Sequence, residues 1–221
     1  MRLILFDIDG TLLECGPQVR PLFAEAAAEV FGRNINIDRY DLAGRTDPRI
    51  TLDLLTEAGL TEEEVRARLP EMRAMYAGKL EKALDRQHMR LLPGVAEALE
   101  TLGRRKDVVL GLVTGNWEPG ARTKLSRFDL NRYFDFGAFG CDGVDRTDLP
   151  PVALERAEQR MGRRFRPEET LIVGDTLHDV ACARAHGIPV LAVATGRTTA
   201  ETLREGGADR VVADLTEIAD W

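Results

Sequence analysis

Residues 3–13 read LILFDIDGTLL. The apolar run Leu3 to Phe6 ends abruptly at Asp7; Asp9 follows two positions later, then Gly10 and Thr11. The run predicts a buried strand, and a period of two puts Asp7 and Asp9 on the same side of its extended end. Gly10 allows the backbone to turn at once. Two like charges this close, at the end of an apolar strand, repel one another unless a cation lies between them. A surface turn is the alternative reading, because Asp and Gly are common turn residues.

Two further runs share the form. Residues 108–116 read VVLGLVTGN, ending in Thr114, Gly115 and Asn116. Residues 170–179 read TLIVGDTLHD, ending in Gly174, Asp175 and Thr176, with Asp179 beyond. In open parallel α/β sheets ligands sit beyond the carboxyl ends of the strands, and all three runs can deliver their last residues to that edge. From residue 91 onward strand patterns (108–113, about 135–139, 170–174, 189–193, 209–212) alternate with helical ones (118–128, 149–161, 177–186, 200–206). This alternation predicts an α/β fold, a Rossmann-like parallel sheet with helices on both faces.

Residues 17–88 carry no strand pattern. Val19, Leu22, Phe23, Ala26, Ala27, Val30 and Phe31 fall on one helical face, with Gly32 as a stop. A second helix runs from Thr46 to Ala58. Thr61 and Glu64 form a capping box for a third, which Pro70 is expected to break or restart. A purely helical block inserted after the first strand reads as a cap. The expected division is a core of residues 1–15 and 91–221 and a cap of residues 16–90, with hinges near 14–18 and 87–93.

The formal net charge of −7 argues against non-specific nucleic-acid binding, which needs a positive surface. No apolar run approaches the ~18 residues of a membrane helix, and the N-terminus does not read as a signal peptide. Cys15, Cys141 and Cys182 form no metal-ligand pattern and fit reduced thiols in a cytoplasmic protein, a monomer or homodimer. His88, His178 and His186 are too scattered to form a metal cluster.

DIDGTLL, VTGN and GDTLHD, in that order, resemble the haloacid dehalogenase superfamily of aspartyl-phosphate hydrolases, from Leu3 to about Ala213. The stretch AGRTDPRIT, residues 43–51, is similar to the helical-cap segment of phosphoglycolate-phosphatase-like members. The resemblance implies that Asp7 is the nucleophile and a Mg²⁺ ligand, a role a carboxylate fills without a neighbouring base because it is already ionised at neutral pH. It implies that Asp9 is the general acid and base, contributing its backbone carbonyl to the metal, and that Asp175 supplies the third protein contact. Asp179 would be a metal ligand or orient the others. Thr114, Gly115 and Asn116 would bind phosphate oxygens, although a plain Thr-Gly-Asn turn explains them too. The implied substrate is a small phosphorylated metabolite. Arg45 or Arg49 would meet a substrate carboxylate, or else the charged residues of that segment pair with one another at a helix start.

One departure stands out. The superfamily normally places a Lys-Pro pair before the helix that precedes the last motif, whereas this chain reads GVDRTDLPPVALERA and has no Lys after Lys124. Arg146 is the favoured replacement, a permanent cation able to bind an anion through two N–H groups, and Lys124 is the rival. A sugar-phosphate phosphomutase and a catalytically weak metal-binding regulator are the alternatives to a phosphatase.

Overall fold

The structure, a computed structural model, describes residues 1–220. Its main sheet has six parallel strands in the order β5-β4-β1-β6-β7-β8. These are Arg2–Phe6 (β1), Val108–Val113 (β4), Gly137–Ala138 (β5), Thr170–Gly174 (β6), Val190–Val193 (β7) and Arg210–Val212 (β8). Leu13–Cys15 (β2) and Met89–Leu91 (β3) form a separate antiparallel ribbon, pairing Leu13 with Leu91.

Strand β1 lies in the middle because both of its faces are apolar. Ile4 and Phe6 join a cluster with Leu99, Ala121 and Leu125. Leu3 and Leu5 join another with Ala153, Ala157 and Ala183. These partners come from Val95–Gly103 (α4), Glu118–Ser126 (α5), Leu149–Met161 (α6) and Leu177–Arg184 (α7); Ala200–Glu205 (α8) completes the set. From β1 the chain goes outward through β4 to β5 and then crosses back to β6 on the other side of β1, so a topological switch point opens at the carboxyl end of β1.

Between β2 and β3 lie the helices of the insert: Val19–Phe31 (α1), Asp47–Glu57 (α2) and Glu62–Ala83 (α3). Thr46 caps α2 by accepting from the Arg49 N–H at 3.2 Å, and Thr61 and Glu64 form the expected capping box. Pro70 does not interrupt α3. Pro70 and Arg66 are both exposed, so the carbonyl left without its N–H partner can be solvated. Val65, Met72, Tyr76 and Leu80 meanwhile hold the helix by burial. Phe23 of α1 stacks on Trp117 of the core, and Tyr76 meets both rings edge-on. The insert and the core thus share one hydrophobic cluster.

Candidate active site

Asp7 extends β1 by one residue, its N–H donating to Val173 of β6 at 2.9 Å. The turn at Gly10 (φ +83°) then brings the chain beneath Asp175, where a β-carbon on Gly10 would lie 2.3 Å from Asp175 Oδ2. Gly196, after β7, approaches the same oxygen more closely still. Thr11 Oγ1 donates to Asp175 Oδ1 at 3.1 Å, and Thr195 Oγ1 to the Gly10 carbonyl at 2.6 Å. The Asp175 carboxylate is therefore held by two close backbone approaches and a hydroxyl.

Asp7, Asp175 and Asp179 each offer a carboxylate oxygen, and these atoms lie within 4.8 Å of one another. Asp7 and Asp175 are 3 % exposed and Asp179 is fully buried. Thr176 caps α7 by accepting from the Asp179 N–H, and its own N–H and hydroxyl donate to Asp179 Oδ2 at 3.0 and 2.7 Å. Asp179 is thus no exposed helix-start residue; its second oxygen faces the site. Burial, reinforced by Asp179 and Asp7, pushes the Asp175 carboxyl up to about 8. Burial pushes Asp7 up to about 6, against the pull of Arg146. A cluster of buried carboxylates at this energetic disadvantage is relieved by a cation.

Arg146, in a short 3₁₀ turn ahead of α6, supplies one positive charge. Its Nη2 lies 3.1 Å from Asp7 Oδ1 and 2.5 Å from Asp179 Oδ1. The same guanidinium donates to the Val113 carbonyl at 3.2 Å and to the Gly44 carbonyl of the insert at 3.0 Å. Burial works against its charge, but Asp179 and Asp7 outweigh that and hold its pKa above the ordinary value.

Asp9 points elsewhere. Lys124 Nζ donates to Asp9 Oδ2 at 2.6 Å, and Asn116 Nδ2 donates to the same oxygen at 2.7 Å. Burial opposes the charge on Asp9, yet the Lys124 ammonium and the Asn116 amide hold its carboxyl below the usual range. Burial pushes the nearby Cys15 thiol up to about 12, so it stays neutral. Arg146 and Lys124, set against each other as candidates for one position, occupy two: one faces Asp7, the other Asp9.

Thr114 is fully buried beyond β4, and its hydroxyl accepts from Asn116 Nδ2 at 2.9 Å. A β-carbon on Gly115 would stand 2.1 Å from the Arg45 carbonyl oxygen of the insert. The Asp47 N–H donates to the Gly115 carbonyl at 2.8 Å, and the Trp117 N–H donates to Asp47 Oδ2 at 2.7 Å. The charged residues of segment 43–51 accordingly do not pair with one another. Arg45 lies over the Tyr40 ring, 3.7 Å from Asp53, and lines the central cavity of about 770 Å³. Arg49 is tied to Asp145 at 2.8 Å and to Asp53 at 3.6 Å, and is not among the residues lining that cavity. Arg49, expected with Arg45 as a substrate contact, bridges insert and core through these carboxylates.

The sequence reading passed over Thr195 and Gly196, which complete the Asp175 pocket. Their signal was available: ATG at 194–196 ends the apolar run of β7 just as VTG at 113–115 ends β4.

The sequence matches the family model for haloacid dehalogenase-like hydrolases over residues 4–193. Phosphoglycolate phosphatase 1 of Pseudomonas aeruginosa is 28% identical over 98% of this chain and 78% of its own length. The phosphorylated carbohydrates phosphatase of Thermotoga maritima is 28% identical over 96% of this chain and 94% of its own. Among solved structures, that of a predicted phosphatase from Clostridium acetobutylicum superposes with a TM-score of 0.71 at 18% identity, covering 99% of this chain and 96% of that one. An α/β enzyme with an acidic centre at the switch point of its sheet is the class that fold and site define. The chain belongs to the haloacid dehalogenase-like hydrolase family, and it resembles that family's phosphatases across nearly its whole length.

Proposed function

We propose that this phosphatase of the haloacid dehalogenase-like family hydrolyses small phosphomonoesters through an aspartyl phosphate on Asp7. The observation that carries the reading is the convergence of Asp7, Asp175 and Asp179 at the end of the central strand, with Arg146 against Asp7. An Asp7 oxygen attacks phosphorus, and the bond from phosphorus to the leaving oxygen breaks. Asp9, held ionised in the free site by Lys124 and Asn116, takes up a proton from solvent, gives it to that oxygen and then takes one from water, which attacks the aspartyl phosphate, releases phosphate and regenerates the Asp7 carboxylate. Arg146 offsets the repulsion between carboxylate and phosphoryl group. Thr114 Oγ1, whose own proton is free to donate, and the backbone at Gly115 and Asn116 bind the oxygens that do not leave; the Asn116 side-chain amide is engaged with Asp9 and Thr114.

The centre fits a small hard cation: every donor is an oxygen, and three carboxylates face one guanidinium. Asp7, Asp175 and Asp179 would hold Mg²⁺ by their side chains and Asp9 by its backbone carbonyl; the ion, when bound, supplies charge neutralisation at the phosphoryl oxygens. Of the two roles open to Asp179, ligand or orienting residue, this reading favours the ligand.

The relatives named above act on phosphoglycolate and on phosphorylated carbohydrates. A cavity of about 770 Å³ exceeds the needs of a two-carbon acid and favours an ester of sugar size. Arg45, one of the arginines lining the cavity, is our candidate to meet its distal polar groups. Phosphate release from a panel of acid, sugar and nucleotide phosphates, with and without Mg²⁺, tests the reading. Metal-dependent release from sugar-sized esters is expected. Transfer of the phosphoryl group to another hydroxyl, with little free phosphate, would point to a mutase, and no turnover of any member would contradict the reading.

A further inference from the structure

The cleft holds two buried cations where the proposed chemistry at phosphorus engages one. Arg146 serves Asp7. Lys124, on α5 and 3 % exposed, touches neither Asp7 nor the acidic trio; its Nζ lies 2.6 Å from Asp9 Oδ2 and 2.6 Å from Asn116 Oδ1. Asn116 closes the triangle, with Nδ2 2.7 Å from Asp9 Oδ2 and 2.9 Å from Thr114 Oγ1. With its carbonyl oxygen receiving the ammonium, the amide has its orientation determined by the network.

We propose that Lys124 is a positioning residue for Asp9, holding that carboxylate jointly with Asn116 and tying its placement to the packing of the insert on the core. The inference rests on the reading of Asp9 as the acid–base group. An acid that must reach the leaving oxygen loses rate steeply when displaced by an ångström. Asp9 stands just before the turn at Gly10 with its side chain 40 % exposed, so burial alone does not fix the carboxylate. The Lys124–Asn116 pair removes that freedom with two charge-assisted hydrogen bonds to one oxygen.

The lysine is itself fixed from behind. Helix α5 packs closely on α3: a β-carbon on Gly120 would lie 3.1 Å from Leu80 Cδ1, and Thr123 Oγ1 donates to Glu81 at 2.9 Å. Cys15, Tyr76 and Asp47 are the other titratable groups that act on the ammonium besides Asp9. Tyr76 and Asp47 belong to the insert, so the insert bears on the acid–base group through Lys124 as well as by their direct electrostatic action on Asp9.

The test compares kcat/KM for an alkyl phosphate, whose leaving oxygen needs a proton, with that for a nitrophenyl phosphate, whose leaving oxygen does not. Lys124→Gln is expected to lower the alkyl value about a hundredfold and the nitrophenyl value by less than about fivefold. Lys124→Arg is expected to recover part of the alkyl loss. In an Asp9→Asn background, Lys124→Gln is expected to cost nothing more, because the two act as one unit. Equal losses on both esters, or losses that multiply in the double variant, would overturn the proposal while leaving a disabled Asp9→Asn consistent with the acid–base reading. Full activity of Asp9→Asn on the alkyl ester would overturn both. Thermal melts establish folding; should Lys124→Gln not fold, the two-ester comparison is read from Lys124→Arg, whose longer head displaces Asp9 and is expected to cost more on the alkyl ester.

Discussion

Arg146 Nη2 stands 3.1 Å from Asp7 Oδ1, with each side chain 5 % exposed, so the proposed nucleophile and its counter-cation meet in a nearly dry contact. Turnover of nitrophenyl phosphate should therefore depend on Arg146 far more than on Lys124. Arg146→Ala is expected to lower kcat by about a thousandfold, with Arg146→Lys intermediate, since it keeps the charge but loses the planar guanidinium's bonds to the Gly44 and Val113 carbonyls. Steady-state kinetics on both variants, beside Lys124→Ala, checks the ranking; a larger loss in Lys124→Ala would reverse the assignment.

The pH dependence of metal-free stability follows from the same centre. The carboxyls of Asp7 and Asp175 are raised from 3.8 to about 6 and about 8. Between those limits the folded chain binds more protons than the unfolded one, so their contribution to stability is present at low pH and lost as pH rises. Asp175→Asn is expected to flatten that decline, and Mg²⁺ to raise Tm more at pH about 8 than at pH about 5, because the ion replaces protons. Melting curves with and without the ion measure both effects. A metal-induced shift that shrinks as pH rises would count against the carboxylate centre.

Gly115 and Gly78 should respond oppositely to alanine. At Gly115 the new β-carbon would meet the Arg45 backbone at 2.1 Å, and backbone cannot swing aside as a flexible side chain can. Gly115→Ala must lift segment 44–47 from the loop after β4, breaking the Asp47–Gly115 hydrogen bond; kcat/KM is expected to fall at least about tenfold. At Gly78, inside α3, nothing lies within 4 Å, and Gly78→Ala is expected to stabilise by about 0.5–1 kcal/mol. Kinetics and thermal melts on the two variants separate the cases.

Asp47 joins insert to core as an acceptor for the Trp117 N–H. Burial pushes its carboxyl up to about 6, against the pull of Lys124 and of the Trp117 N–H, so the charge itself is not what stabilises the contact. Asp47→Asn retains an acceptor oxygen and is expected to remain close to wild type in denaturant unfolding. Asp47→Ala strands the donor and is expected to cost about 1–3 kcal/mol. Equal losses would show that the charge matters after all.

What was legible in the sequence depended on how local the signal is. The ends of β1, β4 and β6 stood out because apolar runs stop at Asp7, Thr114 and Asp175, and the capping box at Thr61 is confined to four residues. Pro70 misled because propensity sees the lost N–H but not the neighbours that hold α3. Arg45 and Arg49 look alike in sequence; only the approach of Asp145, 96 residues on, distinguishes them. Lys124 and Arg146 were set against each other because helix phase alone does not say which carboxylate a cation will face. The main parallel sheet rests on strand periodicity and was readable, whereas the three-residue strands of the β2–β3 ribbon were too short to show a period. The site depends on contacts between residues up to 185 positions apart, such as Thr195 with Gly10; its strand-end members announced themselves, while Arg146 and Lys124 were visible as cations without their partners.

The most direct test is the rate of Mg²⁺-dependent phosphate release by Asp7→Asn, with its fold verified by circular dichroism. The substitution keeps size and shape while removing the attacking oxyanion. A loss of at least about a thousandfold is predicted; release within a few-fold of the wild-type rate would contradict the assignment of Asp7 as nucleophile.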